Sequence, residues 1–264
     1  MTTVQDVCDF LEALAPCRLA ESWDNVGLLV GERQRAVSAL MTCLTVTPAS
    51  AGEAIRDGAS LVVAHHPLPF RPLKRLTSDT TPGRLLLQLI GAGVSIYSPH
   101  TAFDSAGTGI NQRLAEGLGL GDVVPLVPRE GDPQGLGAAR RGVFRQPQTL
   151  EAIAARLRQL LSPRGMQLVG EPLSLVRRVA VACGSAGEFL EAAGQADCEL
   201  LVTGETSFHT CLEAQATGVA LLLTGHYASE RFAVERLADE LSRAFPAVRI
   251  WASREESDPL TWMA

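Results

Sequence analysis

Val4, Val7, Phe10, Leu11 and Leu14 recur at helical spacing behind Thr3, a good helix cap, and Pro16 ends the run. Apolar runs at 26–30 and 40–46 read as strands and 49–56 as a helix, followed by a strand at 61–64, a helix at 83–90 and a strand at 94–98. Between Pro125 and Pro147 the composition shifts to glycine, proline and charge, which reads as a surface connection or a domain boundary. Beyond it Thr149 opens a helix with Leu150, Ile153, Leu157 and Leu160 on its inner face. Strands are predicted at 166–169, 179–182 and 200–203, then a helix at 208–216, a strand at 219–224 and a long amphipathic helix at 229–243. Alternating β and α segments predict an α/β fold with largely parallel sheets covered on both faces, divided into a first unit at 1–127 and a second at 128–264.

The two halves share a motif. His100-Thr101-Ala102-Phe103-Asp104 and His226-Tyr227-Ala228-Ser229-Glu230 both read His, three residues, carboxylate, and each follows a strand-like run opening with Gly-Val. Leu61-Val62-Val63-Ala64 also aligns with Leu200-Leu201-Val202-Thr203. The strand pair is offset by 139 residues and the histidine motifs by 126, so a duplication with 13 extra residues in the first copy accounts for both. The plainer alternative is that any two β-α-β units with apolar strands look alike.

Four of the five histidines stand where predicted strands finish: His65, His66, His100 and His226. In a parallel sheet ligands bind outside the carboxyl ends of the strands, and imidazole with carboxylate suits divalent metal. Neighbouring residues in extended chain point to opposite sides, so His65 and His66 fit two ions side by side better than one. Glu230, four residues after His226, shares a helical face with it, and a carboxylate such as Asp104 or Glu230 can bridge two ions. Taken singly, each residue has a bland explanation, as a packed histidine or a first-turn acid. Three strand ends converging on one ligand chemistry favour metal.

Lys plus Arg is 23 against 29 Asp plus Glu, a formal charge of −6, which argues against a broad nucleic-acid footprint. The six cysteines are scattered without a C-x-x-C and read as reduced thiols of an intracellular protein. With no signal-like N-terminus and no membrane-length apolar run, the cytoplasm is the expected location. Cys183-Gly184-Ser185-Ala186-Gly187-Glu188 lacks the Lys-Ser/Thr ending of a phosphate loop and reads as a tight turn. Trp23-Asp24-Asn25-Val26-Gly27 can line a pocket or form a turn. Ser185 and Ser229 lack a Ser-His-acid arrangement distinct from the metal residues. His209 is open between a supporting role and packing.

With Trp23-Asp24-Asn25-Val26-Gly27-Leu28, Ala64-His65-His66-Pro67, Pro99 to Asp104, Leu201 to Glu205 and Thr224 to Glu230 in place, the chain resembles the Nif-three-like family. Bacterial members of that family carry the label GTP cyclohydrolase I type 2 homologue. The resemblance covers nearly the whole chain and implies two related, intertwined α/β/α units, a dinuclear site at their junction and a homohexameric ring, a trimer of dimers. By motif it carries the metal ligands to His65, His66, Asp104, His226 and Glu230, and leaves His100 beside them, where it can orient Asp104. Two departures stand out: Thr45 occupies a position where many members have Asp, and the inserted domain of longer members is absent, which implies the compact form.

The expected function is a dinuclear metal-dependent hydrolase whose metal-activated water attacks a nucleotide, phosphoester or related small molecule, with Glu205 a candidate proton shuttle. The alternative is a non-catalytic metal-binding scaffold or regulatory hexameric ring. The donor set admits Zn, Fe, Mn or Ni alike. No residue reads a guanine, and no catalytic acid or base is assigned.

Overall fold

The computed structural model describes residues 1–261. The chain forms two compact units of mixed α/β structure. One comprises Met1–Phe103 and Ala233–Ser257, the other Asp104–Phe232 and residues 258–261. The first break falls at 103/104 rather than 127/128 because the strand Gly121–Val124 pairs with the strand Arg140–Thr149 in the second sheet, and the chain then returns to complete the first sheet.

In the first unit Thr3 and Asp6 close a capping box on α1 (Val4–Leu14), whose Val4, Val7, Cys8 and Leu11 are buried. Strands β1 (Gly27–Val30), β2 (Ala39–Cys43), β3 (Leu61–Ala64) and β4 (Ser95–Ser98) alternate with α2 (Pro48–Arg56) and α3 (Thr81–Gly91). The sheet order is β1-β4-β3-β2 and then the returning strand Arg249–Ala252. Every pairing is parallel except that of β1 with β4. β2, β3 and β4 are buried along their whole length, as a sheet covered on both faces requires.

Helix α4 (His100–Ser105) follows β4 directly, and α5 (Ile110–Gly117) follows it. The second unit continues with β5 (Gly121–Val124), a short hairpin β6 (Val127–Pro128) with β7 (Gly137–Ala138), β8 (Arg140–Thr149), α6 (Leu150–Leu161), β9 (Gln167–Val169) and β10 (Leu175–Ser185). Then come α7 (Leu190–Gln195), β11 (Leu200–Glu205), α8 (Phe208–Thr217), β12 (Ala220–Leu223) and α9 (His226–Ala244). The sheet order is β5-β8-β10-β11-β12-β9, parallel through β10, β11 and β12 and antiparallel at both flanks.

The expected repeat is visible in the element order. In the first unit β2-α2-β3-α3-β4 leads into a helix opening with His100, and in the second β10-α7-β11-α8-β12 leads into a helix opening with His226. Each last parallel strand is flanked by an antiparallel neighbour, β1 in one case and β9 in the other. The copies differ most after their middle strands: β3 ends at Ala64 and α3 starts at Thr81, whereas β11 ends at Glu205 and α8 starts at Phe208.

Candidate metal centre

Three imidazoles gather in the first unit. β3 carries the chain into His65 and His66, whose N–H groups extend the ladder by donating to the Cys43 and Leu44 carbonyls at 2.9 and 2.8 Å. Ser98 at the end of β4 donates to the His65 carbonyl at 2.6 Å. The His65 and His66 ring centroids are 5.0 Å apart, and His100 stands across both, at 5.2 and 5.4 Å. One nitrogen from each ring lies within 4.8 Å of the others.

The rings are held from behind. Thr45 Oγ1 is 2.7 Å from His66 Nδ1, so this segment touches the histidine through a neutral hydroxyl. Glu256, reaching in from the C-terminal segment, accepts from the Leu44 and Thr45 N–H groups at 2.8 and 2.6 Å. A carboxylate therefore does act on this segment, through the backbone. His100 Nδ1 lies 2.7 Å from Asp24 Oδ1, and Asp24 Oδ2 also accepts from the Thr101 N–H and hydroxyl. Burial alone would raise the Asp24 pKa, but His100 and Thr101 outweigh it and bring it down to about 2, so Asp24 is a fixed anion. The positive φ of 26° at His100 is an uncommon conformation for a non-glycine residue, held here by these bonds at the helix start.

The remaining predicted ligands belong to the second unit. The helix begins at His226 itself rather than at Ser229, so His226 and Glu230 sit one turn apart. His226 Nε2 is 3.2 Å from Glu230 Oε2, and Nδ1 is 3.0 Å from Glu205 Oε1 at the end of β11. Burial opposes the charged ring, but the two carboxylates prevail and push the His226 pKa up to about 9. Asp104 is bonded through Oδ1 to the Cys183 thiol at 3.2 Å, while Asn111 binds the Asp104 carbonyl and the Cys183 N–H. Burial, reinforced by Asp104 and Glu230, pushes Cys183 well above the usual thiol range and keeps it protonated.

Close backbone approach explains the glycine before Glu205. A Cβ on Gly204 would stand 2.5 Å from the Gly184 carbonyl, 2.7 Å from Ser229 Oγ and 3.0 Å from His226 Cα. Gly184, at φ +68°, leaves the space that Glu230 Oε1 fills, 2.4 Å from where its Cβ would be. Hence the Cys183-Gly184 turn, which resembled a weak phosphate loop, is a packing surface for His226 and Glu230. His209 is exposed on α8 beside Phe208.

Sequence reasoning missed Asp24, Cys183 and Glu256 as supports. Asp24 falls in a segment that reads equally as pocket lining or a turn, Cys183 at the head of one that reads as a tight turn, and Glu256 lies far along the chain from the residues it holds.

A family model described as Duf34/NIF3 (NGG1p interacting factor 3) matches residues 2–259. The chain belongs to the Duf34/NIF3 family. Among Duf34/NIF3 relatives, a Streptomyces coelicolor protein called GTP cyclohydrolase 1 type 2 homolog is 33% identical over 273 residues, covering 99% of this chain and 94% of its own length. A Clostridium acetobutylicum protein of the same name is 30% identical over 241 residues, covering 91% and 90%. The fold matches a crystal structure from Bacillus cereus, described as a protein related to NIF3, with a TM-score of 0.89 over 100% of this chain and 99% of that one at 23% identity. No helix among the described residues is long and apolar enough to cross a membrane.

Proposed function

We propose that this Duf34/NIF3 protein is a metal-dependent hydrolase in which His65, His66, Asp104, His226 and Glu230 hold two divalent ions per chain. The observation that carries this reading is the convergence of the His65, His66 and His100 nitrogens within 4.8 Å, two of those rings being anchored on Nδ1 by Thr45 and Asp24. Thr45 fixes the tautomer of the ligating His66 and directs its other nitrogen to the metal, while Asp24 holds His100 beside the ligands. His226 and Glu230 offer two more donor atoms 3.2 Å apart. A bound divalent ion supplies an acidified water and polarises a carbonyl, ring carbon or phosphoryl group. Asp24 and Thr45 hold the imidazoles, Glu205 orients His226, and the protonated Cys183 thiol donates to Asp104. The relatives' name supports a nucleotide or a related small molecule as substrate, and the family resemblance supports a homohexameric ring.

The test is turnover of metal-loaded protein against nucleotides and phosphoesters, with and without chelator. Activity lost with the metal while the assembly persists supports the hydrolase. Full metal occupancy without turnover on any substrate favours the scaffold.

A further inference from the structure

The 13 residues that the first copy of the repeat has and the second lacks fall in the segment between β3 and α3. Their side chains are unlike the rest of the surface. Phe70 is followed by Arg71, Lys74 and Arg75, and Lys74 is the single lysine of an otherwise acidic chain. All three cations are exposed, and none forms an ion pair among the described residues. Leu73 and Leu76 are exposed beside them. The loop is tied to the Trp23-Asp24-Asn25 segment, where Asn25 Nδ2 donates to the Pro69 carbonyl at 2.8 Å.

That tie brings aromatic rings to the imidazole cluster. Trp23 and Phe70 lie 5.9 Å apart, and both meet His100 edge-on, at 6.0 and 6.1 Å. Yet Trp23 is 60% and Phe70 45% exposed. Large aromatic rings held in place but left open to solvent beside a polar cluster, with three unpaired cations following Phe70 in the same segment, match what a ligand with a flat ring and an anionic group requires: a π-face for the ring and guanidinium or ammonium groups for the charge.

We infer that Trp23 and Phe70, with Arg71, Lys74 and Arg75, form a subsite for a planar heteroaromatic ring bearing a phosphate, a nucleoside phosphate being the class that fits. The subsite deepens the proposed hydrolase by placing the ring beside His100, and its purpose rests on that reading. Its ligand binding does not, because stacking and charge pairing need no metal.

The experiment is calorimetric titration of the chelator-treated full chain with AMP and GMP, with adenosine and ribose 5-phosphate as arms lacking the anion or the ring. At least one nucleotide should bind at least tenfold more tightly than either arm. Trp23→Leu and Phe70→Leu should each weaken it by about tenfold, the scale of one lost stacking partner, while Trp23→Phe retains most of the binding. Replacing Arg71, Lys74 and Arg75 together with Ala should flatten the salt dependence. Equal, weak binding of both nucleotides and both arms would overturn the inference. So would unchanged nucleotide affinity in both leucine variants, and a shift in their oligomeric state would then identify the aromatic patch as a contact between copies of the chain. If the inference fails while metal content and turnover are intact, the hydrolase reading stands without it.

Discussion

At position 45 a hydroxyl rather than a carboxylate meets His66 Nδ1. A neutral partner fixes the ring without adding negative charge, so Thr45→Val should weaken metal retention by about tenfold while leaving the fold intact. Dialysis against graded chelator, read by elemental analysis, checks this; unchanged retention would mean that the hydroxyl is incidental. Asp104→Asn and Glu230→Gln probe the ligands themselves. Both stand at the fifth residue of their helices, past the first turn, so if they hold no metal their amides should leave metal content unchanged. As ligands they should each lose at least one ion, and the thermal midpoint measured beside metal content separates the two.

Among the elements, the returning strand Arg249–Ala252 and the residues after it depend on one buried carboxylate. Glu53 on α2 accepts from the Trp251 indole, the Ser253 hydroxyl, the Arg254 and Glu255 N–H groups and the Arg254 guanidinium. Burial would raise its pKa, but these donors bring it from 4.5 down to about 2. The folded value lies below the unfolded one, so the stabilisation is full above pH 4.5 and disappears as pH falls towards 2. Glu53→Gln should cost on the order of 3 kcal/mol at neutral pH and flatten the acid limb of a denaturation curve measured between pH 5 and about 2; a parallel acid limb in the variant would remove Glu53 as its source. Neither this latch nor the strand it holds was legible in the sequence, because Arg249-Ile250-Trp251-Ala252 is too short and mixed to show a period. β8 was hidden for a related reason. Its inward residue Arg140 is fully buried, with its five N–H groups on the Ser105, Ala106, Gly137 and Ala139 carbonyls and the Gln112 side chain, and a charge on the core side masks alternation. The buried strands β3, β4, β11 and β12, the middle of β10, and the histidines that follow β3, β4 and β12 are legible because burial on both sheet faces leaves little choice of residue.

On the scale of the whole chain, two copies of one β-α-β-α-β-α pattern have diverged in what they offer a cation: His100 and Asp104 correspond to His226 and Glu230, while Glu205 stands where the other copy has His66. Elemental analysis after gentle purification should return two ions per chain, and a value near one that added metal does not raise would count against the paired centre. Light scattering should give a hexamer, and a clean monomer at micromolar concentration would remove the ring. The way the chain closes its first unit has a further consequence, for synthesis. The second unit is nearly continuous, from Asp104 to Phe232, so a chain growing from its N-terminus has this unit in hand before the first sheet can be finished. Until Arg249–Ala252 emerges, β2 is an open edge and Glu53 has none of its donors from the C-terminal segment. The nascent protein therefore carries a strand edge able to recruit foreign strands until late in its translation, and Arg249–Ala252 is the segment that ends that exposure.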